Sequence, residues 1–191
     1  VNLGIGVPTL VANFIPDDIE IILQSENGIV GMGPAPESPE EVDPDVTNAG
    51  AVPMTLIPGA ACFDSALSFA MIRGGHLDVT VLGALEVDQQ GNLANWMIPN
   101  VWVPGMGGAM DLTVGAESVI VATDHLTKKG KPKVLRECQL PLTATGEVDM
   151  IVTDLGAFEV LGNGLRPIKL SPWSSREAIE ENTDAEVFFD A

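Results

Sequence analysis

A run of apolar residues at helical spacing, followed at once by a strand pattern, restricts the fold of this chain more than any other feature. The apolar positions that recur on one helix face are Phe63, Ala66, Leu67, Ala70 and Met71. Gly74 and Gly75 then end the helix, and residues 78–82 read as a buried strand. Strand, helix and strand joined by short connections are typical of parallel sheets. The sequence therefore predicts an α/β fold with this helix packed on the core.

Other apolar runs supply further strands. Residues 19–23, 118–122 and 149–154 each read as a buried strand bounded by polar or turn residues. A chain of 191 residues that is 46% hydrophobic can bury a sizeable core as one domain, here 1–191. Because the chain begins at Val1, already inside an apparent strand that runs into a glycine turn, we expect a short segment to precede it.

The charge balance excludes some partners. The formal net charge is -18, from 27 acidic and 9 basic residues. Such a surface repels phosphate backbones and anionic lipids, so we expect neither a nucleic-acid partner nor a membrane partner. Five of the basic residues fall within 128–136, where they form either a solvated loop edge or a contact for the tail of an anionic ligand.

Cysteine usage and hydropathy predict a cytoplasmic protein. Cys62 and Cys138 lie among apolar neighbours and form no disulfide framework, so we expect both to be small core residues in a reducing compartment. No apolar run reaches the length of about 20 residues that a membrane-spanning helix needs, and no signal-peptide pattern is visible.

Glu26 is the first candidate functional residue. It follows the apolar run 19–23, at the end of a predicted strand, where open α/β sheets place their ligands. A carboxylate at this point can act as a nucleophile, a general base or a metal ligand, or it can be an ordinary turn residue facing water. No cluster of residues with metal-ligand spacing accompanies it, so we expect no metal site.

Glycine-rich segments provide the second candidate site. Gly105, Gly107 and Gly108 lie within four positions, which suits either a tight turn or a loop whose backbone N–H groups face an anion. Gly4 and Gly6 match only part of a dinucleotide-binding fingerprint, so we reject a nucleotide site there. Asn2, just before them, offers an amide donor.

Five motifs in order resemble the B (β) chain of the class I 3-oxoacid CoA-transferases over nearly the whole sequence. They are Ser25-Glu26-Asn27-Gly28, Asn48-Ala49-Gly50, the segment 68–76, the segment 95–99 and the segment 107–111. The resemblance implies an open, mostly parallel sheet flanked by helices. It also implies a ping-pong reaction in which Glu26 is the covalent nucleophile and coenzyme A is a substrate, with no tightly bound cofactor.

The resemblance extends to individual residues. It implies that the Asn2 amide and the backbone N–H of Gly107 stabilise the oxyanion. It further implies substrate contacts by Gly28, Asn48, Gly50, Gly108, Ala109 and Met110. At residue 51 this chain has Ala, whereas many relatives have Lys directly after the Asn-Ala-Gly motif, in a position suited to contacting CoA.

Family members pair this chain with a CoA-transferase A (α) subunit, and their active site lies between the two halves. The resemblance therefore implies a hetero-oligomer of the α2β2 type that acts on acyl-CoA and carboxylic acid substrates, in which this chain alone is inactive. Two alternatives remain at this point. One is an acyl-CoA hydrolase on the same scaffold, and the other is a non-catalytic ligand-binding or partner subunit.

Overall fold

A computed structural model describes residues 1–16 and 18–189, in which two sheets and three α-helices account for the regular structure. The elements, in chain order, are β1 (Asn2–Leu3), β2 (Gln24–Ser25), β3 (Ile29–Met32), β4 (Leu56–Cys62), α1 (Ser65–Arg73), β5 (Leu77–Leu82), β6 (Glu86–Asp88), β7 (Leu93–Ala94), α2 (Ala109–Gly115), β8 (Ala116–Ala122), β9 (Val134–Leu135), β10 (Met150–Val152), β11 (Gly156–Val160), β12 (Leu165–Leu170) and α3 (Arg176–Asn182). Two 3-10 helices cover Val7–Phe14 and Pro39–Glu41.

The larger sheet has nine strands in the order β12-β11-β10-β8-β5-β1-β2-β3-β4. The five central strands, from β10 to β2, are parallel, and the two strands at each edge pair antiparallel. The smaller sheet has the order β7-β6-β9. The predicted open α/β sheet is thus confirmed, with antiparallel strands added at both edges.

The core lies on the long parallel strands. Val81, Val121 and Ile151 come from three neighbouring strands and are almost fully buried, as near-continuous apolar strands require in a sheet covered on both faces. Ile72 of α1 and Leu112 of α2 belong to the same core cluster. The five central strands run in one direction, so their carboxyl ends lie along the same side of the sheet. The ends of β1 and β2 are among them.

Helix α1 forms where the spacing predicts it, but the predicted core face is wrong. Asp64 caps the helix by accepting a hydrogen bond from the Leu67 backbone N–H at 2.8 Å, and Gly74 ends it. Ser68 and Ile72 are fully buried, whereas Leu67 is 51% exposed. A serine can occupy the buried face here because its hydroxyl accepts a hydrogen bond from the Gln24 side chain at 2.9 Å.

Two other predictions are wrong. The apolar run 19–23 forms no strand; the strand before Glu26 is confined to Gln24–Ser25, and Ile19 and Ile22 are more than half exposed. Their exposure means that no described part of this chain covers the run. Cys62 is exposed on the edge strand β4 rather than buried, and Cys138 is half-buried.

No helix within residues 1–16 and 18–189 is both long and apolar enough to cross a membrane.

Candidate active site

Glu26 directly follows β2 and faces Asn2 of the neighbouring strand β1. The two strands are parallel, with Asn2 in register with Gln24. Side chains two positions apart in a strand share a face, so Gln24 and Glu26 project to the same side. The Asn2 Nδ2 atom donates to Glu26 Oε2 at 3.1 Å and to Gln24 Oε1 at 2.8 Å. A half-buried carboxylate is therefore held by a fully buried amide.

A chain of hydrogen bonds ties this carboxylate to helix α1. Gln24, only 4% exposed, accepts from Asn2 and donates from its Nε2 atom to the Ser68 Oγ atom at 2.9 Å. The Asn2 Nδ2 atom also lies 3.3 Å from the Gln24 backbone carbonyl oxygen. Because this carbonyl and the Glu26 carboxylate can only accept, the amide nitrogen must point toward them, which fixes the orientation of the side chain. Sequence reasoning missed Gln24 and Ser68. The signals available in the sequence were the polar residue Gln24 at the end of an apolar run and the polar residue Ser68 within a predicted helix.

The turn after Glu26 requires glycine at position 28. Gly28 has a φ of 122°, and a Cβ atom there would lie 1.9 Å from the carbonyl oxygen of Phe63. The Phe63 backbone N–H donates to the Gly28 carbonyl at 2.9 Å, which fixes the turn against the residues that lead into α1. Gly28 thus sets the direction of the backbone next to Glu26.

The glycine-rich loop passes directly over Glu26. Gly107 has a φ of 54°, and Gly108 caps α2. A Cβ atom on Gly108 would lie 3.1 Å from the Phe69 ring and 3.5 Å from Glu26 Cγ, so the loop backbone comes close to the carboxylate because a side chain is missing.

Two cavities meet at Glu26. The larger, about 470 Å³, is called here the glycine-loop cavity; its wall includes Glu26, Leu82, Gly107, Gly108, Ala109 and Leu112. The smaller, about 150 Å³, is called here the Asn48 cavity; its wall includes Leu23, Glu26, Met32, Asn48, Gly50 and Met54. Glu26 thus belongs to the wall of both cavities.

The structure brings most of the predicted site residues to these two cavities. Glu26 lines both cavities, and Asn2 lies beside it in hydrogen-bonding contact. The predicted residues in the glycine-loop cavity are Gly107, Gly108 and Ala109, and those in the Asn48 cavity are Asn48 and Gly50. Gly28 and Met110 line neither cavity, and Met110 is 37% exposed.

A hydrogen-bonded turn shapes one wall of the Asn48 cavity. Asn48 Oδ1 accepts from the backbone N–H groups of Gly50 at 2.9 Å and Val52 at 3.1 Å. The Ala49 N–H donates to Ser25 Oγ at 2.9 Å, which joins the turn to β2 next to Glu26. Ala51 is exposed with a φ of 59°, at the outer side of the turn.

Positive charge is scarce around the site. No Lys, Arg or His is among the described residues that line the two cavities. From the basic segment 128–136, Lys133 contacts the wall of the glycine-loop cavity. Its Nζ atom donates to Thr123 Oγ1 at 2.9 Å and to the carbonyl of Ala84, a wall residue, at 3.3 Å. Within the part of the chain that the structure describes, no group of three or more His, Cys, Asp or Glu residues is arranged to hold a metal ion.

With this fold and site, the chain belongs to the coenzyme A transferase family, whose family model matches residues 1–182. The beta chain of an acetate CoA-transferase from Escherichia coli (strain K12) is 49% identical over 185 residues, which are 97% of this chain and 84% of that protein. The B chain of succinyl-CoA:3-ketoacid coenzyme A transferase from Helicobacter pylori (strain 26695) is 51% identical over 186 residues, 97% of this chain and 89% of that protein. These matches confirm the predicted membership of the CoA-transferase B (β) chains.

A solved structure shares the fold. An acyl-CoA transferase from Escherichia coli O157:H7, crystallised as a thioester complex with CoA, matches with a TM-score of 0.72 and 22% sequence identity. The match covers 98% of this chain and 38% of that protein. At this level of identity the likeness concerns the fold.

Proposed function

We propose that this chain is the catalytic subunit of a CoA-transferase that moves CoA from an acyl-CoA, such as succinyl-CoA, to a 3-oxo or short-chain carboxylic acid through a covalent intermediate on Glu26. The observation that carries the proposal is the contact between Glu26 and Asn2 at the point where two cavities meet. A carboxylate in the wall of both cavities can accept CoA from one acid and pass it to another.

The first half of the reaction loads CoA onto the enzyme. The Glu26 carboxylate attacks the thioester carbonyl of the acyl-CoA, the C–S bond breaks, and a mixed anhydride and the CoA thiolate result. The thiolate then attacks the glutamyl carbonyl of the anhydride, which releases the donor acid as its carboxylate and leaves a glutamyl-CoA thioester. Charge is conserved, because one carboxylate is consumed and one is released.

The second half reverses these steps with the acceptor acid. Its carboxylate attacks the glutamyl thioester and expels the CoA thiolate, which gives a new anhydride. The thiolate attacks the acceptor's carbonyl carbon, and the Glu26 carboxylate leaves as the new acyl-CoA forms. No external base is required, since each nucleophile is already an anion.

Positioning and oxyanion stabilisation are the contributions of this chain. An ionised carboxylate is a weak nucleophile, so the amide that holds it in place lowers the barrier by orienting it. When the glutamyl carbonyl is attacked, negative charge develops on an oxygen within reach of Asn2 Nδ2. The backbone N–H of Gly107 supplies a second donor, and each such donor typically contributes about 2.7–4 kcal/mol to transition-state stabilisation.

An A subunit completes the site in this proposal. The two relatives from Escherichia coli and Helicobacter pylori are named as one of the subunits of their enzymes, which supports a paired subunit for this chain and a hetero-oligomer of the α2β2 type. Large apolar side chains next to the two cavities are exposed, among them Ile5 at 68% and Trp102 at 50%. Exposed apolar surface of this kind marks a protein contact, so we infer that the A subunit covers it.

The test is the intact mass of this chain, in complex with its A subunit, after brief exposure to acetoacetyl-CoA or succinyl-CoA. The expected result is a CoA-sized adduct that borohydride removes and that maps to Glu26. Glu26→Gln should abolish the adduct, whereas Glu37→Gln, on an exposed loop, should not. The absence of any adduct in an assembled complex would refute the proposal. An adduct that decays in water as fast as with an acceptor acid would identify a hydrolase instead.

A further inference from the structure

Asn2 makes hydrogen bonds at only one end of its side-chain amide. Its Nδ2 atom contacts Glu26 Oε2 at 3.1 Å, Gln24 Oε1 at 2.8 Å and the Gln24 backbone carbonyl at 3.3 Å. Its Oδ1 atom is buried and has no hydrogen-bond partner within residues 1–16 and 18–189. Because buried polar side-chain atoms are nearly always hydrogen-bonded, this oxygen requires a donor close by.

Thr80 is placed to be that donor. It lies on β5, which pairs with β1 on the side away from β2, and it is in register with Asn2. Neighbouring strands lie about 4.8 Å apart, and residues paired in register project from the same face of the sheet. Thr80 Oγ1 is itself buried and lacks a partner in the part of the chain that the structure describes. An unsatisfied acceptor and an unsatisfied hydroxyl thus lie side by side.

The A subunit cannot supply either missing partner. Asn2 and Thr80 are both 0% exposed in this chain alone, so neither a second chain nor a substrate touches them. Thr80 lines neither of the two cavities at Glu26. Its hydroxyl can meet Asn2 Oδ1 after a small movement of the side chains or through one water molecule, and both routes give the oxygen its hydrogen bond.

From these observations we propose that Thr80 is a positioning residue of the active site. Its hydroxyl donates a hydrogen bond, directly or through one buried water, to Asn2 Oδ1. The proposal rests on the proposed roles of Glu26 as nucleophile and Asn2 as oxyanion donor. It adds a residue of β5 that acts on the reaction only through Asn2.

This hydrogen bond matters most when Glu26 loses its charge. In the free site the Glu26 carboxylate attracts the Asn2 N–H group. An acylated Glu26 is neutral, so this attraction weakens while the amide must still face the reacting oxygen. A donor at Oδ1 holds the amide from its other end. It also polarises the amide, which strengthens the N–H groups as donors.

The experiment compares Thr80→Val with Thr80→Ser in the complex with the A subunit. Valine keeps the shape of threonine without the hydroxyl, and kcat should fall by about tenfold, near the upper value for one lost hydrogen bond. The KM for acyl-CoA should stay within about twofold, since the interaction acts in the transition state. Serine removes a buried methyl group and lowers stability, but it keeps the hydroxyl, so kcat should stay within about twofold of the unchanged complex.

Thr153→Val separates positioning from a loss of stability. Thr153 is also buried, and its hydroxyl lies 2.8 Å from Nδ1 of His125, so this substitution should lower the urea midpoint. It should leave kcat unchanged, because Thr153 follows β10, two strands away from β5. If Thr153→Val or Thr80→Ser lowers kcat as much as Thr80→Val does, the effect follows stability and the proposal is wrong.

A double substitution tests whether Thr80 acts through Asn2. In an Asn2→Ala complex, adding Thr80→Val should change kcat by less than about twofold, because the group that Thr80 positions is gone. A second loss as large as the one in the unchanged complex would mean that Thr80 affects the reaction by another route, which overturns the proposal.

A crystal structure of the unchanged complex tests the contact without any measurement of turnover. Thr80 Oγ1 in hydrogen-bonding distance of Asn2 Oδ1, or of a water that also contacts it, supports the proposal. A Thr80 hydroxyl bonded only to other groups refutes it.

These results separate Thr80 from the proposed chemistry. If the Glu26 adduct forms and Thr80→Val turns over normally, the positioning proposal alone fails. If no adduct forms in the unchanged complex, the proposed function fails, and the crystal structure still decides whether Thr80 holds Asn2.

Discussion

The Asn2 Nδ2 atom lies 3.1 Å from Glu26 Oε2, and the same nitrogen also contacts Gln24 Oε1. One amide therefore connects the candidate nucleophile to a fully buried polar chain that continues to helix α1. The position of the carboxylate depends on residues that do not touch it.

Replacing Asn2 by Ala should lower kcat by about 10²–10³, the usual cost of removing one oxyanion-hole donor. Formation of the Glu26 adduct should slow by a similar factor in rapid-quench mass measurements. Asn13→Ala, in the exposed 3-10 helix, is the matched control and should leave kcat unchanged. An Asn2→Ala complex that turns over normally would remove Asn2 from the mechanism.

Ser68→Ala should destabilise the protein by about 1–3 kcal/mol, because it leaves the buried Gln24 Nε2 donor without its acceptor. Urea unfolding followed by circular dichroism measures the change. Ser65→Ala removes an exposed hydroxyl from the first position of the same helix and should change stability by no more than about 0.5 kcal/mol. Equal effects of the two substitutions would show that the bond to Gln24 contributes nothing.

Gly28→Ala should destabilise the protein more than Gly130→Ala, although both glycines have a positive φ. Its Cβ atom would lie 1.9 Å from the Phe63 carbonyl oxygen, so either the turn or the start of α1 must move. At Gly130 the φ of 73° is similarly unfavourable, but a Cβ atom there meets nothing within 4 Å. We expect Gly130→Ala to cost about 1 kcal/mol and Gly28→Ala to cost several times more and to abolish adduct formation. Thermal unfolding curves and the adduct assay check both.

His125 should make stability depend on pH. The ring is fully buried, with Nδ1 2.8 Å from Thr153 Oγ1 and Nε2 2.9 Å from Thr183 Oγ1, and desolvation lowers its pKa below the usual 6.5. Below pH 6.5 the unfolded chain therefore binds a proton that the folded chain does not, so stability falls as the pH falls.

The contribution of His125 to the slope of unfolding free energy against pH should approach about 1.4 kcal/mol per pH unit between the pKa of His125 in the folded protein and 6.5. Urea midpoints at intervals from pH 7.5 to 5 measure it, and His125→Gln should flatten the profile. His76→Gln, at an exposed position, should leave the slope in place. A wild-type profile that is flat over this range would contradict the prediction.

Ala51→Lys should lower the KM for acyl-CoA by about threefold to tenfold at low salt, because a cation near CoA phosphates gains on the order of 1 kcal/mol. Ala51 is exposed and already has a φ of 59°, so lysine adds no backbone strain that alanine lacks. Ala51→Gln separates charge from side-chain length and should leave KM unchanged. An unchanged KM in the lysine variant would show that residue 51 does not contact CoA.

Sequence reasoning succeeded where local pattern determines structure. The strands at 77–82 and 116–122 and the helix that Gly74 ends follow from patterns within a few residues. It failed where exposure depends on distant segments. The apolar residues Leu67 and Ile22 and the thiol of Cys62 lie at the surface, because no described part of the chain covers them.

The hydrogen-bond chain behind Glu26 could not be predicted for the same reason. Gln24 and Ser68 are 44 positions apart, and only the assembled sheet and helix bring them together. The pairing of residues 2 and 24 likewise requires the parallel register of β1 and β2. A turn was expected at Gly28, so the local sequence explains a glycine at this position. Nothing in the local sequence indicates that the turn contacts Phe63.

The walls of the two cavities come largely from different parts of the chain. The Asn48 cavity is lined by residues between positions 3 and 54, whereas the glycine-loop cavity draws mainly on residues 82–112 and shares only Ile5 and Glu26 with it. Apart from Gly4, Ile5 and Glu26, substitutions in the first stretch can thus accumulate without changing the wall of the glycine-loop cavity. During divergence of such subunits, the wall of the Asn48 cavity can change while most of the wall of the glycine-loop cavity is inherited unchanged. Exchanging the first 54 residues between homologues would transfer the wall of the Asn48 cavity as a unit.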